Sequence, residues 1–394
     1  MSVLVTRGVF VRIRTRGVRV RRLLHFASLS LLGLILLLSL AASPTQAQSD
    51  NTFDPSFSVG GGIQTSFQHT EPTGAPNTND FTLDHARLYF NGDVTKYISV
   101  MFNTDYTSGN DNMNILDAVG QFHFSPKVNI WFGRFLPPSD RDNLTGPFYA
   151  NEWAVYNDGI QDGYPFVYQG RDNGAMYWGD FKLGAAKIKA AVGAFDGPSA
   201  DGSNSLIWGS RVQIDFWDAE DGYYQNSTYY GDKNLLAIAG ANEVQDGKTA
   251  TTVDFLMEKK VPTGGAFTIE SEYSRYIGLG ASQIGRVGYN SAFGKSEGAY
   301  GLASFLIPKV VGIGRFEVLG KYAIAEFTDR VGGSGAGSYR QNTAEVNFDY
   351  IIKQFDARVM SFYKDTRFNA VQLNTWEAGV GLQLQISKQI LGKH

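Results

Sequence analysis

Cysteine is missing from this 394-residue chain, and histidine is scarce. Without cysteine there can be no disulfide framework, zinc–thiolate site or thiol nucleophile. After residue 47 the histidines are His69, His85, His123 and His394, and no Gly-x-Ser-x-Gly motif surrounds a serine. These absences argue against an enzyme, and no motif predicts a cofactor or a metal site.

Long apolar runs are confined to the amino-terminal end. Seven arginines precede the run LLHFASLSLLGLILLLSLAA, the small and polar residues SPTQAQ follow it, and residues 1–47 contain no acidic residue. This order is typical of a secretory signal peptide, so we expect cleavage after residue 47. An uncleaved membrane anchor is the alternative, because the run is long enough to span a bilayer. No later run is that long.

An excess of basic charge is also lacking. Seven of the 35 basic residues precede residue 48, which leaves 28 against 38 acidic residues and a formal net charge near −10. The chain after residue 47 has no basic tail. Nucleic acid is therefore not an expected partner.

What the chain does have is a recurring alternation of apolar and polar residues. In FSVGGGIQTSFQ, residues 57–68, Phe57, Val59, Ile63 and Phe67 fall on one face and mainly polar residues and glycine on the other. This period of two predicts β-strands with one apolar and one polar face. The pattern predicts 16 strands, at 56–69, 81–93, 96–107, 115–125, 127–136, 171–181, 185–195, 205–218, 234–243, 250–260, 265–276, 297–307, 313–327, 339–352, 354–364 and 374–386.

The length of these strands favours an all-β, antiparallel transmembrane β-barrel over a soluble sandwich. Most have about ten residues or more, which suits a tilted membrane strand. A barrel satisfies both faces, with lipid outside and water inside, and leaves no unpaired strand edge. Tryptophans near strand ends (131, 153, 178, 208, 217 and 376) fit interfacial girdles, although ordinary strand aromatics would look alike.

The connections alternate between short turns and longer polar loops, as in outer-membrane barrels. An even strand count places both termini on the short-turn side. One connection breaks the alternation: AEDGYYQNSTYYGDK, residues 219–233, is long yet falls on the short-turn side.

The longest connection, loop 137–170, follows the fifth predicted strand and is rich in aromatic residues. We expect it to fold into the barrel and form a constriction, because long loops with little disorder-prone composition are commonly functional. The alternative is an extracellular lid.

Alternation also predicts which charged residues face the lumen. The basic candidates are Arg87, Lys187, Lys189, Arg211, Arg315, Lys321 and Arg358, and the acidic ones are Asp105, Asp215, Asp254, Glu258, Glu270, Glu272, Glu317, Glu345, Asp349 and Glu377. Such charges set the ion preference of a pore. The plainer interpretation is that each is a solvated lumen residue without a specific ligand.

Several segments resemble the phosphate-selective porin O and P family. They are FTLDHARLYFNGDV (81–94) followed by FNTDY (102–106), WFGRFLPPSDR (131–141) and GRDNGAMYWGDF (170–181). GYYQNSTYYGDKNLLAIAGA (222–241) is similar to a mid-chain segment of related bacterial porins. The resemblance implies a 16-stranded barrel, a homotrimer, and passage of small anions such as phosphate. Leu136 stands where the family motif has lysine, Arg134 keeps a base beside Gly133, and the acidic residue expected from the family lies near Asp140 and Arg141. Arg134 and Arg141 are therefore constriction candidates.

These observations predict an outer-membrane porin, a passive channel for small hydrophilic solutes or ions, in the bacterial outer membrane. Its partners would be membrane lipids, lipopolysaccharide and the solutes themselves. The alternative from another class is a barrel with a closed lumen that acts as an adhesin or anchor. An energy-coupled transporter is disfavoured because such barrels have more strands.

Overall fold

The computed structural model describes residues 55–107, 112–153, 158, 170–197, 205–279, 293–330, 338–369 and 374–391. The predicted signal peptide, residues 1–47, lies outside the described residues. So do most of residues 154–169 of the predicted constriction loop.

All 16 predicted strands are present, and most of their ends agree with the sequence pattern to within about three residues. Their bounds are β1 Ser56–Pro72, β2 Thr78–Thr95, β3 Ile98–Thr107, β4 Asn112–Ser125, β5 Val128–Phe135, β6 Asp172–Leu183, β7 Ala186–Phe195, β8 Ile207–Asp215, β9 Leu235–Gln245, β10 Lys248–Lys260, β11 Ala266–Ile277, β12 Phe293–Val311, β13 Gly314–Arg330, β14 Tyr339–Lys353, β15 Ala357–Phe368 and β16 Thr375–Leu391. Strands β12 and β16 are longer than predicted.

The strands form one closed antiparallel barrel. Each strand pairs with its neighbours in sequence, and β1 closes the ring by pairing with β16 through registers such as Gly61↔Ile386 and Pro72↔Thr375. Closure gives every strand two partners, so no sheet edge remains exposed. The all-β, 16-stranded fold class is confirmed.

The two faces of each strand meet different surroundings. On β14, Glu345, Asn347 and Asp349 are buried inside the barrel, whereas the intervening Val346 and Phe348 are 57% and 52% exposed on its outer surface. The same alternation exposes Val212 on β8, Val253 on β10 and other apolar side chains around the ring. An apolar outer surface and a polar interior are the arrangement that lipid outside and water inside require.

Connections at the two ends differ in length, with one exception at each end. At the end where β2 turns into β3, the connections are two to five residues long, except that residues 216–234 link β8 to β9. At the other end the connections range from four residues (108–111) to 36 residues (136–171), except that Asp246 and Gly247 alone link β9 to β10. Both of these residues have positive φ, 49° and 81°, as a tight Asp-Gly hairpin turn requires.

Helix is almost absent from the described residues. Only Arg141–Thr145, named α1, forms an α-helix there, and no helix in those residues is long and apolar enough to cross a membrane. Asp140 caps α1, because its side chain accepts a hydrogen bond from the Asn143 amide at 2.7 Å.

The hydrophobic core lies inside the barrel rather than between two sheets. Trp131 of β5 and Trp178 of β6 are buried there, with ring centroids 6.1 Å apart, and they pack with Phe135 and Leu144. Trp153 is buried against Met360 and Phe362 of β15. The prediction of an interfacial girdle was therefore wrong for Trp131, Trp153 and Trp178, because their side chains point into the barrel.

The outward orientation of β14 yields a test of lipid contact. Val346 lies at the middle of β14, so Val346→Arg should lower the free energy of unfolding in lipid vesicles by about 2–4 kcal/mol. Val311→Arg, at the short-turn end of β12, should cost only about 0–1 kcal/mol, because the arginine reaches the interface. Guanidinium titration of the refolded barrel measures both. Equal costs at the two depths would contradict a lipid-covered outer face.

Candidate functional site

The loop after β5 enters the lumen, as predicted. We call residues 136–170 the constriction loop, of which 136–153, 158 and 170 are described. Its backbone and side chains meet three separate strands: Gln64 of β1 donates to the Pro147 carbonyl at 3.0 Å, Asn151 donates to Ser304 of β12 at 3.0 Å, and Arg358 of β15 donates to the Ala150 carbonyl at 2.7 Å. The in-folding prediction is confirmed for residues 136–153, and the extracellular-lid alternative is wrong for them.

Arg141 holds the first turn of this loop by buried ion pairs. Its guanidinium donates to both carboxylate oxygens of Glu220 at 3.0 and 2.7 Å, and its Nε lies 3.4 Å from Asp254 of β10. Asp254 also pairs with Arg211 of β8, whose Nη2 lies 2.9 Å away. All four side chains are buried. A bidentate pair fixes direction as well as distance, so the loop is held in one orientation.

The electrostatics of Glu220 show how strong this contact is. Burial alone would raise the pKa of the Glu220 carboxyl, but the charge and hydrogen bonds of Arg141 outweigh burial and lower that pKa to about 2. The same partner keeps the pKa of Arg141 well above its ordinary value in spite of burial. Both groups therefore stay ionised across the physiological pH range.

A second set of ion pairs holds the middle of the loop. Lys321 of β13 lies 2.6 Å from Glu152 and 2.6 Å from Asp158, and Lys364 of β15 lies 4.0 Å from Asp158. The Lys321 ammonium also lies over the Tyr300 ring, 4.3 Å from its centroid. The direction of Glu152 and Asp158 could not be predicted from the sequence, because residues in an irregular loop have no periodicity.

The constriction loop contacts β1 and β2 through the aromatic ring of Phe148. Phe148 is fully buried against Gly62, and the Arg87 guanidinium lies 4.6 Å from its ring centroid. A Cβ at position 62 would meet Phe148 at 2.7 Å, so this strand position requires glycine. Asp105 of β3 accepts hydrogen bonds from Arg87 at 3.1 Å and from His85 at 2.8 Å.

The remaining predicted lumen charges differ in their distance from the loop. Lys189 is buried and donates to the Glu220 carbonyl at 3.2 Å, whereas Lys187 lies nearer the short turns, 3.1 Å from Asp180, and is one-quarter exposed. Glu270 and Glu272 are buried on the lumen face of β11. Of the lumen carboxylates assigned by alternation, nine are buried and Glu377 is partly exposed.

Two predicted constriction residues are elsewhere. Arg134 pairs in register with Ala118 on the outer face, because the alternation along β5 turns Trp131 and Phe135 inward. Its Nε donates to the Ile115 carbonyl at 3.2 Å. Arg315 faces inward but sits at the short-turn rim, where it donates to the Gly264 carbonyl at 2.6 Å. Placing Arg134 in the constriction was therefore wrong, and Arg315 is far along the strand from the loop.

The lumen wall is covered unevenly. On β8 to β11 and on β13 to β15 the inward side chains are buried along the middle of each strand, whereas residues at some strand ends, such as Lys248, Lys260 and Arg315, are at least partly exposed. On β1 to β4, several polar inward side chains are partly exposed, and from the long-loop end to the short-turn end they include Gln68, Thr82, His85, Asn103 and Gln121. Others on the same strands, such as Gln64, Arg87 and Asp105, are buried. In the part of the chain that the structure describes, water therefore reaches the inner wall of β1 to β4 at several levels. We call this wall, formed by β1 to β4, the open sector.

Three side chains on β3, β4 and β5 are linked in the order of a hydrolase triad. His123 Nε2 lies 3.1 Å from Ser99 Oγ, and His123 Nδ1 lies 2.9 Å from Asn129 Oδ1. No sequence pattern predicts that these three side chains meet. Ser99 lies within β3, which is paired on both sides at Asp93↔Ser99 and Ser99↔Gln121. Its backbone N–H groups are thus committed to the sheet, and they cannot stabilise an oxyanion.

No group of three or more potential metal ligands occurs within the part of the chain that the structure describes. The charged clusters there join carboxylates to lysines and arginines instead. What the arrangement can do chemically is bind and exclude water and ions, with the loop fixed across the lumen by ion pairs.

Comparison with known proteins places this architecture among outer-membrane porins by fold. The barrel resembles Salmonella typhi OmpF in complex with daunomycin (TM-score 0.55, 12% identity, 84% of this chain and 97% of that chain). It also resembles the anion-selective porin from Comamonas acidovorans (0.50, 14%, 84% and 100%). A loop-deletion mutant of OmpT, an outer membrane protein of Vibrio cholerae, is similar too (0.50, 10%, 84% and 99%).

No family model matches the sequence, and no curated protein matches it. The structural similarity, at these identities, establishes the fold. The resemblance to the phosphate-selective porin O and P family is thus supported at the level of the porin fold.

The ion pairs of Lys321 yield a stability prediction. Lys321→Met leaves Glu152 and Asp158 with an uncompensated buried charge, so it should lower the free energy of unfolding by about 3–5 kcal/mol. The matched change Lys309→Met, at an exposed position, should stay within about 0.5 kcal/mol of the parent protein. Guanidinium titration measures both. Equal values would show that this ion pair does not hold the loop.

The lowered pKa of Glu220 predicts a pH dependence. Arg141, Lys189, Tyr229 and Gln213 surround this carboxyl, and the backbone N–H of Glu220 donates to Asp215. Because its pKa is about 2 when folded and about 4.3 when unfolded, its contribution of about 3 kcal/mol is complete above pH ~5. The contribution is lost as the pH falls towards 2.

The measurement is the difference in unfolding free energy between the parent protein and Glu220→Gln across pH 2–7. Subtraction removes the titrations that both proteins share. The difference should be constant above pH ~5 and shrink in acid. A difference that grows in acid would have the wrong sign for a carboxylate paired with arginine.

Proposed function

We propose that this protein is a porin of the bacterial outer membrane, a passive channel for small hydrophilic solutes or ions. One observation carries the proposal: several inward polar side chains of the open sector are partly exposed to water beside a constriction loop that is bonded across the lumen. The closed barrel and apolar outer face supply the membrane span that a channel needs. Passive diffusion requires neither a cofactor nor a catalytic step.

The surroundings follow from the same proposal. Membrane lipids and lipopolysaccharide would cover the exposed apolar face, and the chain would arrive there after cleavage of residues 1–47. We also propose a homotrimer, on the resemblance described above. Cross-linking of the detergent-extracted protein, read by mass, tests that assembly.

The charged residues of the lumen would act mainly by shaping the pore. The residues that we propose for this role are Arg87, Asp105, Arg141, Lys187, Lys189, Arg211, Glu270, Glu272, Arg315, Lys321 and Arg358. Arg141, Arg211 and Lys321 are each paired with buried carboxylates, so their charge is largely balanced within the wall. The preference for anions or phosphate implied by the resemblance stays a prediction. Its sign is given by the reversal potential in a salt gradient.

A closed-lumen anchor or adhesin is the second candidate function. The observation in its favour is that the inward faces of β8 to β11 and β13 to β15 are buried beneath in-folded segments. A lumen filled on all sides would carry no current. Conductance therefore separates the two functions.

The decisive experiment uses the absence of native cysteine. Ser99→Cys places a thiol on the lumen wall of β3, and Val100→Cys places one on the outer face, where Val100 is 48% exposed. In planar bilayers the parent protein should give a stable, ohmic current. A charged, membrane-impermeant thiol reagent should then lower the current of the Ser99→Cys protein and leave that of the Val100→Cys protein unchanged.

Two results would contradict the proposal. Stable insertion without current at any voltage would favour the closed-lumen anchor. A current that responds equally to reagent at both cysteines would mean that solutes do not pass along the open sector.

A further inference from the structure

The long connection on the short-turn side is a second segment that enters the lumen. We call residues 216–234 the inner connection. Its ends meet as a short turn would, because the Phe216 amide donates to the Leu236 carbonyl at 2.8 Å and the Asp218 amide to the Asn234 carbonyl at 2.9 Å. Residues 219–233, which lie between these hydrogen-bonded ends, are not required to connect β8 to β9.

That additional chain is buried inside the barrel. Glu220, Ser227 and Thr228 are at most 1% exposed, and Tyr223 and Tyr230 are 3% and 2% exposed. A connection that lay outside the barrel would leave these polar residues exposed to water. Their burial and hydrogen bonding show that the inner connection occupies lumen volume.

The inner connection is bonded directly to the constriction loop. The Gln225 amide donates to the Leu144 carbonyl at 3.2 Å and the Ser227 amide to the Tyr149 carbonyl at 3.1 Å. The side chain of Arg141 adds the two bonds to Glu220 and one to the Asn226 carbonyl at 3.0 Å. Two segments that enter from opposite ends of the barrel thus form one continuous hydrogen-bonded unit.

The same connection touches three widely separated parts of the wall. The Tyr224 hydroxyl donates to Asp117 of β4 at 2.8 Å, the Thr228 hydroxyl donates to Glu258 of β10 at 2.8 Å, and Arg358 of β15 donates to the Tyr230 hydroxyl at 3.0 Å. In the closed ring these three strands are five or six strands apart. A segment with contacts so distributed must cross the interior.

The inner connection crosses the lumen beside the part of the wall whose inward side chains are buried. The stretch of ring from β15 through β16 and β1 to β4 includes the open sector, whereas the inward faces of β8 to β11 are buried except at the ends of β10. The constriction loop alone covers the wall only at the level of its own residues. The inner connection covers it on the short-turn side of the loop.

We propose that the inner connection is a second pore-narrowing element, which confines passage to the open sector and, together with the constriction loop, sets the upper size of solute. The Arg141–Glu220 ion pair locks the two elements together. This inference rests on the channel function proposed above, and it assigns the size limit to residues 219–232 in addition to the loop.

The first test removes the element. Residues 219–232 are replaced by a three-residue Gly-Asn-Gly turn, which the hydrogen-bonded ends of the hairpin can accommodate. Single-channel conductance in planar bilayers should rise at least twofold, and proteoliposomes should swell in larger uncharged sugars than the parent protein admits. An inserted, folded variant with unchanged conductance and sugar limit would overturn the proposal.

The outcome also separates this inference from the channel function. If the parent protein passes no current and the shortened variant does, the porin proposal fails while the narrowing role stands. If both pass the same current, the porin proposal stands and the narrowing role fails. If neither passes current, both fail.

The second test keeps the chain length and examines the lock. Ser227→Cys introduces the only thiol of the protein at a fully buried position of the inner connection. In the background of Glu220→Gln, which removes the charge that Arg141 binds, labelling by a soluble thiol reagent should become at least tenfold faster. Asp221→Asn is the matched control, because its carboxylate is 82% exposed and pairs with the lysines Lys187 and Lys233.

The labelling test can be carried out even if the variant that lacks residues 219–232 does not fold. Equal labelling rates in the Glu220→Gln and Asp221→Asn backgrounds would show that the ion pair does not hold the inner connection in place. Rapid labelling without any substitution at position 220 would show that the segment leaves the lumen freely, and the narrowing role would fall.

Discussion

Closure of the hydrogen-bonded ring is the constraint on which the rest of the structure depends. In hydrocarbon an unpaired backbone N–H or C=O costs several kcal/mol, so a sheet can cross a membrane only if its first and last strands pair. Pairing of β1 with β16 meets this requirement. Once the ring is closed, the period of two in each strand sends one set of side chains to lipid and the other to the lumen. Every later feature is a way of filling that lumen.

The lumen is filled by buried ion pairs rather than by an apolar core alone. Arg141, Lys321 and Arg358 each join an in-folded segment to the wall, and in each case carboxylates or carbonyl oxygens surround the positive charge. Buried pairs of this kind contribute little net stability compared with apolar packing, but removing one partner is costly. They therefore serve well to fix a segment in one place. A loop held in this way can keep a defined opening beside it.

Two in-folded segments distinguish this barrel from one with a single constriction loop. Their joint packing leaves partly exposed side chains in the open sector, and the aromatic cluster around Trp131 and Trp178 lies beside it on β5 and β6. The cost of the arrangement is a lumen with many buried polar groups, each of which needs a partner. Its benefit for a channel is a narrow path with walls that are fixed by bonds from both sides.

The sequence by itself determined the strands, their number and the side to which most of them turn each residue, because a β-strand encodes direction locally with a period of two. Arg87, Arg211 and Arg358 are buried on the inward faces of their strands, whereas Arg134, which was assigned from a motif, faces outward. Tertiary structure alone decided which charges meet. Glu220, Glu152 and Asp158 lie in irregular chain, where no period fixes a direction, and their partners are many residues away. The unusual length of residues 219–233 marked the place, but only three-dimensional packing shows that this chain turns into the barrel and binds the loop.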